Sequence, residues 1–90
     1  MNTSTKYTCP CCGYKIFDRE DHFWDICEVC FWESCPIQNV ELFDSGGSNP
    51  ISLVEAQQNF IAFGVCEKNM IKNVRKPNID ESKNESWKPF

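Results

Sequence analysis

Two C-x-x-C pairs, Cys9/Cys12 and Cys27/Cys30, are separated by fourteen residues in this chain. That layout is the spacing of a tetrathiolate zinc site. A thiolate is a soft, anionic donor, and two cysteines three positions apart on a tight turn can both reach one ion at about 2.3 Å. Pro10 stiffens the entry to the first turn, and Gly13 takes positive φ at low cost. The second turn, Cys27-Glu28-Val29-Cys30-Phe31, has no glycine, which predicts a less regular geometry there. Four sulfurs close the coordination sphere of one structural Zn2+ and leave no open position for catalysis.

Cys9-Pro10-Cys11-Cys12 also contains C-P-x-C, the pattern of a thiol oxidoreductase active site. In that setting the motif opens a helix after a strand. Here glycine and a predicted strand follow, so thiol redox or metal handling stands as an alternative. Three cysteines are left over. Cys11, Cys35 and Cys66 read as small, partly buried residues. Cys11 is also placed to swap in as a ligand, and Cys35 to replace Cys30. His22, the single histidine, reads as a strand residue facing water, with a three-cysteine, one-histidine site as the variant reading.

Positioning these ligands falls to a chain of 90 residues, enough for one domain and short enough to need a staple. Seven cysteines, an odd count, argue against a complete set of internal disulfides. The opening Met1–Thr5 is polar, with no signal-peptide pattern and no long apolar run after it, which predicts a reducing, cytoplasmic setting and no membrane span. The formal net charge is −4. Four thiolates add −4 and a zinc ion +2, taking the loaded protein to −6. Such a surface disfavours nucleic acid and suits a basic protein partner.

Residues 1–6 read as a flexible terminus, 7–77 as a zinc-ribbon-plus-helix domain and 78–90 as a polar, loose tail that carries Trp87 and Phe90. Lys15–Phe17 and His22–Ile26 are the predicted strands, joined by the charged turn Asp18–Asp21. A connector over 36–50 ends in the loop Ser45–Pro50. A helix follows, with Ser52 and Glu55 as a capping box; Asn49 as cap with Pro50 in the first turn is a rival start. Leu53, Ala56, Phe60 and Phe63 form its apolar stripe, and Gly64 ends it. Val65–Val74 reads as a short helix or an extended return. Phe23-Trp24 and Phe31-Trp32 supply the aromatic core, with one residue of each pair inward and its neighbour left as a contact candidate. Lys68, Lys72, Arg75 and Lys76 read as a solvated basic face.

The chain resembles the bacterial cysteine-rich CPCC family. The matching stretches are Cys9–Tyr14, Ile26–Glu33, Gly46-Gly47, Ser52–Phe60, Phe63-Gly64, and Val74-Arg75 with Pro77. The resemblance spans about residues 7–81. It departs at Ser34-Cys35, where members continue with an acid, and at Asn49-Pro50, where they carry a small residue and glycine. It implies the metal site at Cys9, Cys12, Cys27 and Cys30 and a bacterial source, and it carries no activity.

The expected architecture is a small metal-stabilised α+β fold: a zinc ribbon of short antiparallel strands with one packed helix toward the C-terminus. No paired carboxylates, no nucleophile beside a base and no phosphate loop are present, which predicts a protein that is not an enzyme. The leading expectation is a non-catalytic zinc-binding protein that engages a protein partner, such as a basic enzyme or toxin that it inhibits in the manner of an immunity protein. The alternative is a zinc ribbon that binds nucleic acid through an exposed tryptophan.

Overall fold

The computed structural model describes residues 6–89. The terminus expected at 1–6 falls outside these residues except for Lys6, and Phe90 falls outside them too. Strand β1, Tyr7–Thr8, runs antiparallel to β2, Lys15–Phe17, with an irregular register between Tyr7 and Thr8. Helix α1 spans Leu53–Phe63, and a 3-10 helix spans Lys68–Asn73. The fold is a small α+β unit stapled by four clustered cysteines, as the sequence predicts.

The partner of β2 differs from expectation. His22–Ile26 forms no strand; Tyr7–Thr8, ahead of the first cysteine, pairs with β2 instead. Trp24 breaks the extended run with φ of 74°, and Ile26 makes only an isolated bridge to Glu33. The segment is pinned from its own turn, with the Trp24 amide donating to the Ser34 carbonyl and the Ser34 amide to the Asp25 carbonyl.

Helix α1 starts where the capping box puts it. Ser52 Oγ accepts from the Glu55 amide at 3.2 Å, satisfying a donor that the helix leaves unpaired. Gly64 ends it at φ 82°, its amide donating to the Phe60 carbonyl. Leu53 and Ala56 are fully buried among the cysteines and Trp32, and Phe60 packs at their edge. Phe63, the last stripe residue, is exposed beyond the core, with Lys68 Nζ 5.3 Å from its ring.

The rival cap Asn49 has another task. It is buried, donates to the Glu33 carbonyl, accepts from the Glu33 amide, and pairs with buried Gln38. Gln38 Nε2 in turn donates to the carbonyls of Asp44, Asn49 and Ile51. The connector is thus held by a polar core whose members are hydrogen-bonded, the condition under which burying amides is tolerated. Among the described residues no helix is long and apolar enough to cross a membrane.

Candidate metal centre

Each cysteine pair sits on a turn of the same construction. In the first, the Gly13 amide donates to the Cys9 carbonyl at 2.9 Å and the Cys9 amide to the Tyr14 carbonyl. In the second, the Phe31 amide donates to the Cys27 carbonyl at 2.7 Å and the Cys27 amide to the Trp32 carbonyl. Both turns close on a residue with positive φ: 80° at Gly13 and 72° at Phe31. The second turn is therefore as regular as the first, contrary to expectation. Phe31 takes the left-handed conformation, which costs a side-chain-bearing residue about 1–2 kcal/mol.

The two turns face each other and bring their four sulfurs together. The sulfurs of Cys9, Cys12, Cys27 and Cys30 all lie within 4.8 Å of one another, and all four residues are fully buried. The closest pairs bridge the two turns: Cys9 to Cys30 at 3.6 Å and Cys12 to Cys27 at 3.8 Å. A tetrahedron of sulfurs around zinc has edges of about 3.8 Å. All seven cysteines are free thiols.

The neighbouring sulfurs, Cys12 first and then Cys30 and Cys9, together with the Cys30 amide, hold the Cys27 pKa far below the usual thiol range. Cys9 and Cys30 are pushed well above that range, by burial first and then by neighbouring sulfurs. A divalent cation reverses this balance, because a coordinating thiol is deprotonated outright.

The remaining candidates fall outside the ligand set. Cys11 is fully buried, so it does not point to solvent, and it is not one of the four clustered sulfurs. Cys66 is buried too, and burial, followed by the nearby Cys11, pushes its thiol up to about 12. Cys35 is not one of the four clustered cysteines. Burial raises its pKa, but amides of Ser48, Gln38 and Ile37 donating to the sulfur prevail and lower it. His22 is half-buried rather than facing water: it stacks on Phe17 at 4.2 Å and shares a 2.8 Å hydrogen bond with Ser34 Oγ.

The aromatic pairs behave differently from each other. Trp32 is fully buried, with its indole N–H donating to Asn39 at 3.0 Å, while Phe31 is partly covered. Phe23 and Trp24 are both exposed, at 42% and 60%, so the expectation of one inward residue fails for this pair. Of the basic cluster, Lys68, Lys72 and Lys76 are exposed, and Arg75 is engaged: it bridges Glu28 at 3.0 Å and Glu81 at 2.7 Å.

Both turns are clamped by distant parts of the chain. The buried Gln57 of α1 donates to the Pro10 carbonyl, the Cys66 amide to the Cys30 carbonyl, and the Arg75 amide to the Glu28 carbonyl. Residues 81–87, expected to be loose, lie back against the first turn. Trp87 donates its indole N–H to the same Pro10 carbonyl at 2.8 Å. No local signal marks these contacts, since they join residues up to 77 positions apart.

A family model described as Cysteine-rich CPCC matches residues 7–81, a span that includes all four clustered cysteines. No curated protein matches the chain.

Proposed function

The chain belongs to the cysteine-rich CPCC family, and from that premise we propose that it is a non-catalytic zinc protein of the cytoplasm that binds a basic protein partner. Zinc is the metal that best suits four soft sulfur donors with tetrahedral edge distances. Bound by four sulfurs, it keeps no open position for a substrate, so its contribution is to the fold.

The observation that carries the binding reading is Trp24. A residue with a side chain is held at φ 74°, and that side chain is 60% exposed. A non-glycine residue stays in the left-handed region only where its surroundings hold it there, and such residues cluster at functional sites. Here the strained turn presents two aromatic rings beside Asp21 and Asp25 on an acidic protein. Arg19 bridges both acids, at 3.7 Å to Asp21 and 3.3 Å to Asp25, so the basic character of the partner rests on the net charge of −4, and the exposed aromatic rings are the anchors. An inhibitor or immunity-type protein is the specific form this takes.

The test is affinity capture from the native host with wild-type protein and with Trp24→Ala, zinc content being measured on both. A stoichiometric protein partner retained by wild type and weakened about 30-fold by Trp24→Ala, the scale of a 2 kcal/mol hot spot, supports the reading. Equal capture by both proteins removes Trp24 from the interface, and capture of nucleic acid alone replaces the partner class.

A further inference from the structure

Residues 82–87 cross the Cys9–Gly13 turn as a strap. The Lys15 amide donates to the Ser82 carbonyl at 2.9 Å, and the Asn84 amide to the Gly13 carbonyl at 2.8 Å. The Asn84 side chain donates to Thr8 Oγ1 at 2.8 Å. Trp87 lays its ring over Gly13 so closely that a Cβ there would fall 2.5 Å from Cδ2. Lys83 Nζ lies 4.9 Å from the Tyr14 ring and 4.8 Å from the Trp87 ring. Upstream, the strap is anchored by Glu81, which is buried and held by Arg75 Nη1 and Nη2 at 2.7 and 2.8 Å.

Two features set this segment apart from ordinary packing. Pro10 and Gly13, which receive the strap, bracket Cys11 and Cys12 on the turn that carries half of the ligand sulfurs. The strap is also a thin cover, with Ser82, Lys83, Glu85 and Ser86 exposed, and it lies beyond the residues that the family model matches.

We propose that residues 82–87 are a gate on the metal centre, which sets how fast its ion exchanges with external ligands. The inference rests on the zinc reading given above. An incoming thiol or chelator must reach the ion as one protein sulfur detaches. On the outer side of the first turn that requires Trp87 and Asn84 to release Pro10 and Gly13. The strap is held by a few part-buried hydrogen bonds and one ring outside the core cluster, and such segments open more often than the core does. Exchange through this turn therefore follows the strap's own opening rather than global unfolding.

The test uses the full chain loaded with zinc. Zinc per chain is measured first, and release into excess 4-(2-pyridylazo)resorcinol is then followed for wild type, Trp87→Ala and Trp87→Phe. With one zinc per chain in each, Trp87→Ala should release it about tenfold faster, the effect of losing one hydrogen bond and the ring packed on Gly13. Trp87→Phe, which keeps a ring and loses the indole N–H, should fall between. Hydrogen exchange on the unaltered protein gives a second reading: the Asn84 and Lys15 amides should exchange faster than core amides and no more slowly than zinc leaves. Equal release from all three proteins overturns the gate, as does zinc leaving faster than those amides exchange. Wild type without stoichiometric zinc instead refutes the zinc reading itself. If Trp87→Ala fails to fold, Trp87→Phe and the amide rates decide.

Discussion

Replacing Gly13 by alanine tests the strap and the turn together. Gly13 sits at φ 80°, where alanine bears a strain of about 1–2 kcal/mol. Alanine recovers about 0.4–1 kcal/mol by stiffening the unfolded chain. The backbone part of the cost is therefore about 1 kcal/mol. The second part comes from Trp87. The new Cβ would lie 2.5 Å from Cδ2 and Cε3 and 3.0 Å from Cγ. These atoms are the root and body of the ring, not a flexible tip, so the indole must move off the turn. That movement breaks its hydrogen bond to Pro10, worth about 0.5–1.5 kcal/mol, and loses its packing. The whole change should cost about 2–3 kcal/mol in wild type and only about 1 kcal/mol in a Trp87→Ala background, where the obstacle is gone. Denaturant unfolding of the zinc-loaded proteins, followed by near-ultraviolet circular dichroism, completes the double-mutant cycle. Equal costs in both backgrounds, within about 0.5 kcal/mol, would refute the argument that Trp87 is what alanine meets.

Cys27→Ser should abolish stoichiometric zinc binding and leave no cooperative unfolding transition, because structural zinc contributes about 10–16 kcal/mol to small domains whose net stability is smaller. A zinc-free, cooperatively folded Cys27→Ser protein would sink the assignment of the site. Trp24→Gly should raise the denaturant midpoint slightly: it relieves about 1–2 kcal/mol of left-handed strain against about 0.5–1 kcal/mol of added chain entropy, while partner binding is lost. A lower midpoint would show that the exposed indole supports the fold. His22 has its pKa lowered from 6.5, by burial first, against the raising effect of its backbone hydrogen bond and of Asp25 and Asp21. The unfolded chain therefore binds the proton more readily, and the stability that neutral His22 contributes is full above pH 6.5 and is lost as pH falls through the folded value. Unfolding midpoints between pH 7.5 and 5.5 should show this decline and lose it in His22→Gln; an unchanged slope in that variant would locate the titration elsewhere.

What the sequence disclosed was what lies close along the chain. A C-x-x-C turn is complete within six residues, so Cys9, Cys12, Cys27 and Cys30 could be assigned from spacing, and the structure brings their sulfurs together. The ends of α1 were equally local: Ser52 with Glu55, and Gly64. The errors came where a distant partner decides. The aromatic-rich run His22–Ile26 reads as a strand, but β2 finds its partner in Tyr7–Thr8, on the other side of the first turn. Gln38 and Asn49 look like loop residues, and their hydrogen bonds to each other and to the backbone of Glu33, Asp44 and Ile51 make burial tolerable. The polar segment after Pro77 carries no periodic signal, and its contacts with Thr8 and Pro10 span 76 and 77 positions.

The two cysteine turns together explain why glycine stands in only one of them. Both need positive φ at the residue after the second cysteine, and both have it. If the backbone alone chose the residue, Phe31 would be a glycine as well. A phenylalanine there accepts about 1–2 kcal/mol of strain, offset by the contact its ring makes with the buried cluster. At Gly13 no such exchange is open, because the space a side chain would occupy holds the Trp87 ring. Glycine is therefore required twice at this position, once weakly by the turn and once strongly by the strap. The identity of residue 13 thus reports a contact made 74 positions further along the chain.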